Sequence, residues 1–112
     1  MNKRKLNTKQ YTNHIDEWLD WLMSVKHYQF HTIDAYKRDL THYVKCLYKQ
    51  NEADIKPDRA IFRVWLSEMH NSGCAKTTIA RRVSALRSFF RYCHRRGVFK
   101  KLDLGWMKSP KI

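Results

Sequence analysis

The amino-acid sequence predicts an all-α domain, a compact bundle of four main helices with room for a short further helix at the C-terminus. Three observations carry this. Apolar residues recur at three- and four-residue spacing through four successive segments, the period of a helix that buries one face. Only 3 Gly and 2 Pro interrupt 112 residues, which disfavours the turn-rich punctuation of a β fold. Hydrophobic residues make up 43% and include 4 Trp, 5 Phe and 6 Tyr, enough for one modest core in a chain of single-domain length.

Residues 1–12 hold Lys3, Arg4, Lys5 and Lys9 without an acid. They read as a flexible basic arm before a folded domain over 13–104. A first helix is expected over 13–27 with Asn13 as its N-cap. Ile15, Trp18, Leu22 and Val25 share one face and Trp21 lies at its edge. Asp16 and Glu17 then fall in the first turn, where the helix dipole favours acids. Leu19 and Met23 lie off the main stripe, as extra core or as a contact for another protein. A second helix over 32–49 carries the stripe Ile33, Tyr36, Leu40, Tyr43, Val44 and Leu47, with His31, Arg38, His42, Lys45 and Lys49 opposite. A loop over 50–56 leads to Pro57, which suits the first position of a third helix, with Asp58 just inside it. Ile61, Trp65, Leu66 and Met69 form its buried side, and Gly73 stops it.

The fourth helix, over 76–96 and stopped by Gly97, carries most of the functional information. Ile79, Val83, Leu86, Phe89, Phe90 and Cys93 cluster on one face. The reverse face collects Thr77, Ala80, Arg81, Ser84, Ser88, Arg91 and Arg95, with Arg87 at its margin. Small residues between arginines let a helix approach a phosphate wall or groove floor, where arginine grips phosphate or guanine in bidentate fashion. A solvated face normally mixes Glu with Lys for self-support. Here nine Lys or Arg and no acid lie between Glu68 and Asp103. The whole chain carries a formal charge of +13, a self-repulsion that implies a polyanionic partner. The tail from residue 100 holds Lys100, Lys101, Gly105, a lone Trp106 and Ser109-Pro110. It reads as a short structure packed back on the bundle, then a linker over 105–112.

Several function classes find no support. Cys46, Cys74 and Cys93 are odd in number and lack a C-x-x-C pair, which suits a reducing cytoplasm rather than a disulfide framework. His70 with Cys74 and Cys93 with His94 fall short of the four ligands of a structural zinc site, so no metal is expected. The ten acids are scattered, unlike the clustered carboxylates of a magnesium nuclease. Three isolated glycines make no phosphate loop, and no cofactor is expected. No apolar run follows the basic start, so neither a signal peptide nor a membrane partner is indicated.

Two stretches resemble a known family. Thr32-Ile33-Asp34-Ala35-Tyr36-Lys37-Arg38-Asp39-Leu40 is similar to its T-x-x-x-Y-x-x-D-L helix. Gly73, followed by the run from Thr78-Ile79-Ala80-Arg81-Arg82 through Val83-Ser84-Ala85-Leu86-Arg87-Ser88-Phe89-Phe90-Arg91-Tyr92, resembles its longer G-x(4)-T-I-x-R signature. The family is that of the core-binding, SAM-like N-terminal domains of tyrosine recombinases and phage integrases, of the Xer kind, and the resemblance covers nearly the whole chain. It implies a helical domain that covers one face of double-stranded DNA while a separate C-terminal catalytic domain closes from the other side. Other recombinase protomers in a synaptic complex would be further partners. By resemblance, Thr32, Arg38 and His42 of the second helix lie near DNA, as do Thr77, Thr78, Arg81, Ser84, Arg87, Ser88 and Arg91 of the fourth. Lys45, Lys76 and Arg95 extend these faces. Arg82 falls on the core side, where it suits an internal acid better than DNA.

The family's catalytic Arg, Lys, His-x-x-Arg, His or Trp, and nucleophilic Tyr belong to the other domain. None of the six His here has Arg three positions on. Two departures stand out: Ala75 replaces a capping Ser or Thr before the fourth helix, at a cost of about 1 kcal/mol, and Gln29-Phe30 replaces the usual Ser-Pro before the second. The expected function is a non-catalytic DNA clamp domain of a recombinase, cytoplasmic in a bacterium or phage host. The alternatives are a free-standing basic helical module that binds RNA, or one that binds an acidic protein.

Overall fold

The computed structural model describes residues 8–50 and 55–109. Among these, all regular structure is helical: α1 Thr8–Ser24, α2 Phe30–Lys49, α3 Arg59–Asn71 and α4 Lys76–Arg95. The all-α class is as expected. The chain divides into two compact units, residues 1–54 and residues 55–112.

In the N-terminal unit α1 packs on α2. Helix α1 starts at Thr8, five residues before the expected cap at Asn13. The cause is Tyr11, which lies four residues before Ile15 and prolongs the stripe. Tyr11, Ile15, Trp18 and Leu22 are all buried, and nothing upstream breaks the helix. Residues 8–12 are therefore helix rather than arm, while the rest of the expected arm, 1–7, lies outside the described residues. Leu19 is buried as well, but Met23 is 40% exposed. Val25, expected in the core, is exposed because the helix ends at Ser24. His27 then adopts a left-handed φ of 60°, and the Tyr28 N–H donates to the Leu22 carbonyl at 2.9 Å.

Helix α2 begins at Phe30, two residues early, after an extended Gln29 whose side chain makes no cap bond. The Gln29 carbonyl accepts from Thr32 and Ile33 at 3.0 and 3.1 Å. Ile33, Leu40, Tyr43, Val44, Cys46 and Leu47 are buried, and half-buried Tyr36 stacks on Trp18 at 5.7 Å. Asp39 is the one charged residue buried among the described residues. It has a partner, without which an interior carboxylate would be strongly destabilising.

In the C-terminal unit Asp58 is the N-cap of α3 rather than a residue inside it, and its Oδ1 accepts from the Ile61 N–H at 3.0 Å. Pro57 stands one place before the cap. Capping wins because Asp58 can satisfy an otherwise unbonded N–H of the first turn. Ile61, Phe62, Trp65 and Met69 are buried, so Phe62 takes a core place that the sequence pattern assigns to Leu66, which is half-buried.

Both α3 and α4 end in a Schellman pair. Cys74 donates to Met69 at 3.0 Å and Gly73 to His70 at 3.1 Å. Val98 donates to Cys93 and Gly97 to His94, each at 3.0 Å. Gly73 and Gly97 supply the φ values of 79° and 80° that this turn demands.

Residues 96–109 form no helix. The segment is nonetheless packed: Trp106 meets Phe62 edge-on at 5.6 Å, and Phe99 meets Phe90 at 6.1 Å. Leu104 and Met107 are buried, so the expected linker start at 105 lies within packed structure. Aromatic packing holds this segment without the short further helix for which the sequence left room.

Candidate nucleic-acid interface

A helix places residues 100° apart, so Thr77, Arg81, Ser84, Ser88, Arg91 and Arg95 fall within an arc of about 80° on α4. All are exposed except Ser88, which is half-buried. The opposite side is buried through Ile79, Val83, Leu86, Phe89, Phe90 and Cys93. Burial also takes in Ala85 and Tyr92 on one flank, and so fixes the rotation of the helix and directs the arginine arc outward. From Thr77 to Arg95 the arc runs roughly 27 Å at a rise of 1.5 Å per residue. Duplex DNA carries one charge per about 1.7 Å of its axis, so such a strip faces many phosphates at once.

Acids are few on this unit. Residues 55–109 contain thirteen Lys and Arg against three acids, Asp58, Glu68 and Asp103. Asp58 caps α3, and Asp103 accepts from the Gly105 N–H at 3.2 Å. None of the three lies on α4.

The other candidates on this unit behave differently. Lys76 is exposed at the first position of α4 and flanks the arc, while Thr78 is half-buried and outside it. Ala75 makes no side-chain cap bond, as its side chain dictates. Arg87 turns to the chain itself, where its Nη1 donates to the Leu104 carbonyl at 2.8 Å and the Met107 carbonyl at 2.5 Å. It anchors the tail on α4, which its marginal place on the wheel allows but does not announce. Arg82 is half-buried, with Nη1 3.8 Å from the Cys74 sulfur.

On the N-terminal unit, Arg38 and Lys45 are exposed and His42 is half-buried on the outer side of α2. Thr32 is half-buried in the first turn, about 80° or more around the helix from these three. Arg38 pairs with Asp34 one turn before it, the arrangement that supports a solvated helix. The candidate face on α2 is thus shorter and partly neutralised.

Cys46 and Cys93 are buried and Cys74 is half-buried, all as free thiols. Among the described residues no group of three or more His, Cys, Asp or Glu could hold a metal ion. No helix there is long and apolar enough to cross a membrane.

The family model described as "Phage integrase, N-terminal SAM-like domain" matches residues 15–97. The chain is 35% identical over 105 residues to a protein named tyrosine recombinase XerC from Pelotomaculum thermopropionicum, covering 88% of this chain and 34% of that one. The XerC protein of Listeria innocua is 36% identical over 97 residues, covering 84% of this chain and 32% of its own. That of Thermodesulfovibrio yellowstonii is 35% identical over 109 residues, covering 95% and 33%. The chain thus spans about a third of the length of the curated relatives it matches. No solved structure matches it.

Proposed function

The chain belongs to the phage-integrase N-terminal SAM-like domain family, and on that footing we propose that it is the duplex-DNA-binding domain of a site-specific tyrosine recombinase, a non-catalytic clamp module. One observation carries the DNA part: the arginine, serine and threonine arc of α4, exposed except at Ser88 and without an acid. Arginine holds its charge and presents a planar fork of donors that matches phosphate. The interleaved Ser and Thr keep the backbone close to whatever the arginines grip.

The non-catalytic part is supported by where the tyrosines sit. Tyr11, Tyr43 and Tyr92 are buried and Tyr36 is stacked against Trp18. The exposed Tyr28 and Tyr48 belong to the N-terminal unit and not to the helix that carries the arginine arc. A nucleophile needs a preorganised constellation that binds the scissile phosphate. We place strand cleavage in the part of such recombinases that this chain does not span, and that catalytic domain and other protomers are its protein partners. Of the base-stacking candidates for an RNA reading, Trp106 is half-buried against Phe62 and Tyr48 is exposed on α2. The arginine arc itself carries no aromatic ring, which favours duplex DNA over single strands.

Fluorescence anisotropy against a random duplex of thirty base pairs and against single-stranded RNA, across a salt series, tests the proposal. With some 5–7 phosphates contacted, log K against log salt falls with a slope of roughly −5 to −6 on the duplex, and the duplex is preferred. Preference for RNA, or a flat salt response on both, overturns the reading.

A further inference from the structure

The C-terminal unit carries a cavity that the DNA reading does not use. It has a volume of about 580 Å³ and lies between residues 56–60, where α3 begins, and the segment 99–106. None of its lining residues belongs to α4. The size is that of a site for one small molecule.

Its walls combine two chemistries. Lys56, Arg59, Lys100 and Lys101 line it, all exposed, against two acids, Asp58 and Asp103. Each acid is turned to a backbone donor: Asp58 Oδ1 accepts from the Ile61 N–H, and Asp103 Oδ1 from the Gly105 N–H. A concave surface with a surplus of one sign focuses its field and gathers ions of the other. Beside these charges stand two half-buried aromatic rings, Phe99 and Trp106.

The walls are held in place before any ligand arrives. Trp106 rests on Phe62 at 5.6 Å, and Phe99 on Phe90 and His94 at 6.1 and 5.7 Å. His94 Nε2 lies 3.0 Å from the Lys100 carbonyl, and Arg87 donates to the Leu104 carbonyl at 2.8 Å. A site built in advance spends little binding energy on ordering its own side chains.

We propose that this cavity is a binding site for a free nucleoside polyphosphate, with the phosphates on Arg59, Lys100 and Lys101 and the base against Trp106. The site is separate from the α4 arc and does not rest on the DNA reading. An inorganic anion would use the cations and leave the rings idle, and an apolar ligand would do the reverse. A nucleotide uses both, through charge-assisted hydrogen bonds to phosphate and stacking of the base. A single strand asks for a groove that tracks its backbone, with rings for successive bases, whereas one cavity takes one nucleotide. Occupancy bridges the start of α3 and the segment 99–106, so the ligand fastens that segment to its unit.

Isothermal titration calorimetry of the 112-residue chain at physiological ionic strength tests this with ATP, inorganic triphosphate and adenosine. ATP is expected to bind about tenfold or more tighter than either fragment. Arg59→Glu and Lys101→Glu should each cut ATP affinity about tenfold, while Arg63→Glu should cost less than about threefold. Arg63 is exposed on the same helix, outside the cavity, and its variant makes the same change of charge. Trp106→Leu should bring ATP down to the level of triphosphate. Thermal melting reports that each variant folds, and Arg59→Glu even places an acid where the helix dipole favours it. Triphosphate binding as tightly as ATP, or Arg63→Glu costing as much as Arg59→Glu, overturns the proposal. So does a single-stranded oligonucleotide that displaces ATP with about tenfold higher affinity, which would make the cavity part of a strand-binding surface. None of these outcomes bears on duplex binding by α4, which the salt series reports separately.

Discussion

The two units of this small chain manage charge in opposite ways. Residues 8–50 hold six Lys and Arg and five acids, whereas residues 55–109 hold thirteen and three. The outer side of α2 pairs Arg38 with Asp34, while the outer arc of α4 carries only Arg, Ser and Thr. Helix α4 thus forgoes the intrahelical ion pairs that would help it stand alone. It holds instead through a wide buried face, a Schellman end at Gly97 and a tail tied down by Arg87. A helix kept by burial rather than by intrahelical pairs can line its outer face with arginine. The N-terminal unit, nearly neutral, has instead an exposed apolar lip at Met23 and Phe30. The contrast sets the acid-free arc of α4 apart from the mixed surface of α2.

The sharpest way to break this comparison is to strip cations from each unit in turn. Arg81→Ala with Arg91→Ala should weaken duplex binding about a hundredfold at low salt, near 2.7 kcal/mol, and flatten the salt slope by roughly two. Arg38→Ala with Lys45→Ala should weaken it by no more than about threefold, since Arg38 is already paired. Anisotropy titrations decide. Equal losses from both pairs would dissolve the distinction between the units, and no loss from the first would remove α4 as the DNA face.

A second prediction separates two roles for arginine on the same helix. Arg87→Ala removes two hydrogen bonds from a guanidinium to buried-side carbonyls and should lower stability by about 2 kcal/mol, read as a shift in the urea midpoint. Duplex affinity measured under folded conditions should change far less than in Arg91→Ala. Were Arg87→Ala to lose affinity while keeping its urea midpoint, Arg87 would belong to the DNA arc and not to the tail anchor.

How much of the molecule is legible in the sequence follows from the physics of each element. Helices with a periodic stripe and a glycine stop, such as α4, can be located within a residue or two, because burial and the αL cap leave separate marks. The α4 arc is legible for the same reason. The start of α1 is not. Its first turns, from Thr8 to Thr12, have a basic, polar composition that resembles an arm, and Tyr11 alone extends the stripe. The tail contact of Arg87 could not be read because its partners are backbone carbonyls about twenty positions away, and carbonyls leave no trace in a sequence. Phe62 is buried more deeply than Leu66 although both fit the stripe of α3, and its contacts with Trp65 and Trp106 are not visible in the stripe.

Two smaller predictions sharpen the contrast at the helix ends. Ala75→Ser supplies the side-chain acceptor that α4 lacks and should raise stability by about 1 kcal/mol, with duplex affinity unchanged because the cap residue precedes the arc. His27→Gly acts on the N-terminal unit. At φ 60° a residue with a Cβ is strained, by roughly 1–2 kcal/mol for an ordinary side chain and less for His, which tolerates the region better. Glycine relieves that strain but also loosens the unfolded chain, which offsets part of the gain. The expected net is a rise of about 0.5 kcal/mol in unfolding free energy by urea titration. A loss instead would mean that the His27 side chain holds the α1–α2 turn by contacts worth more than the strain it carries.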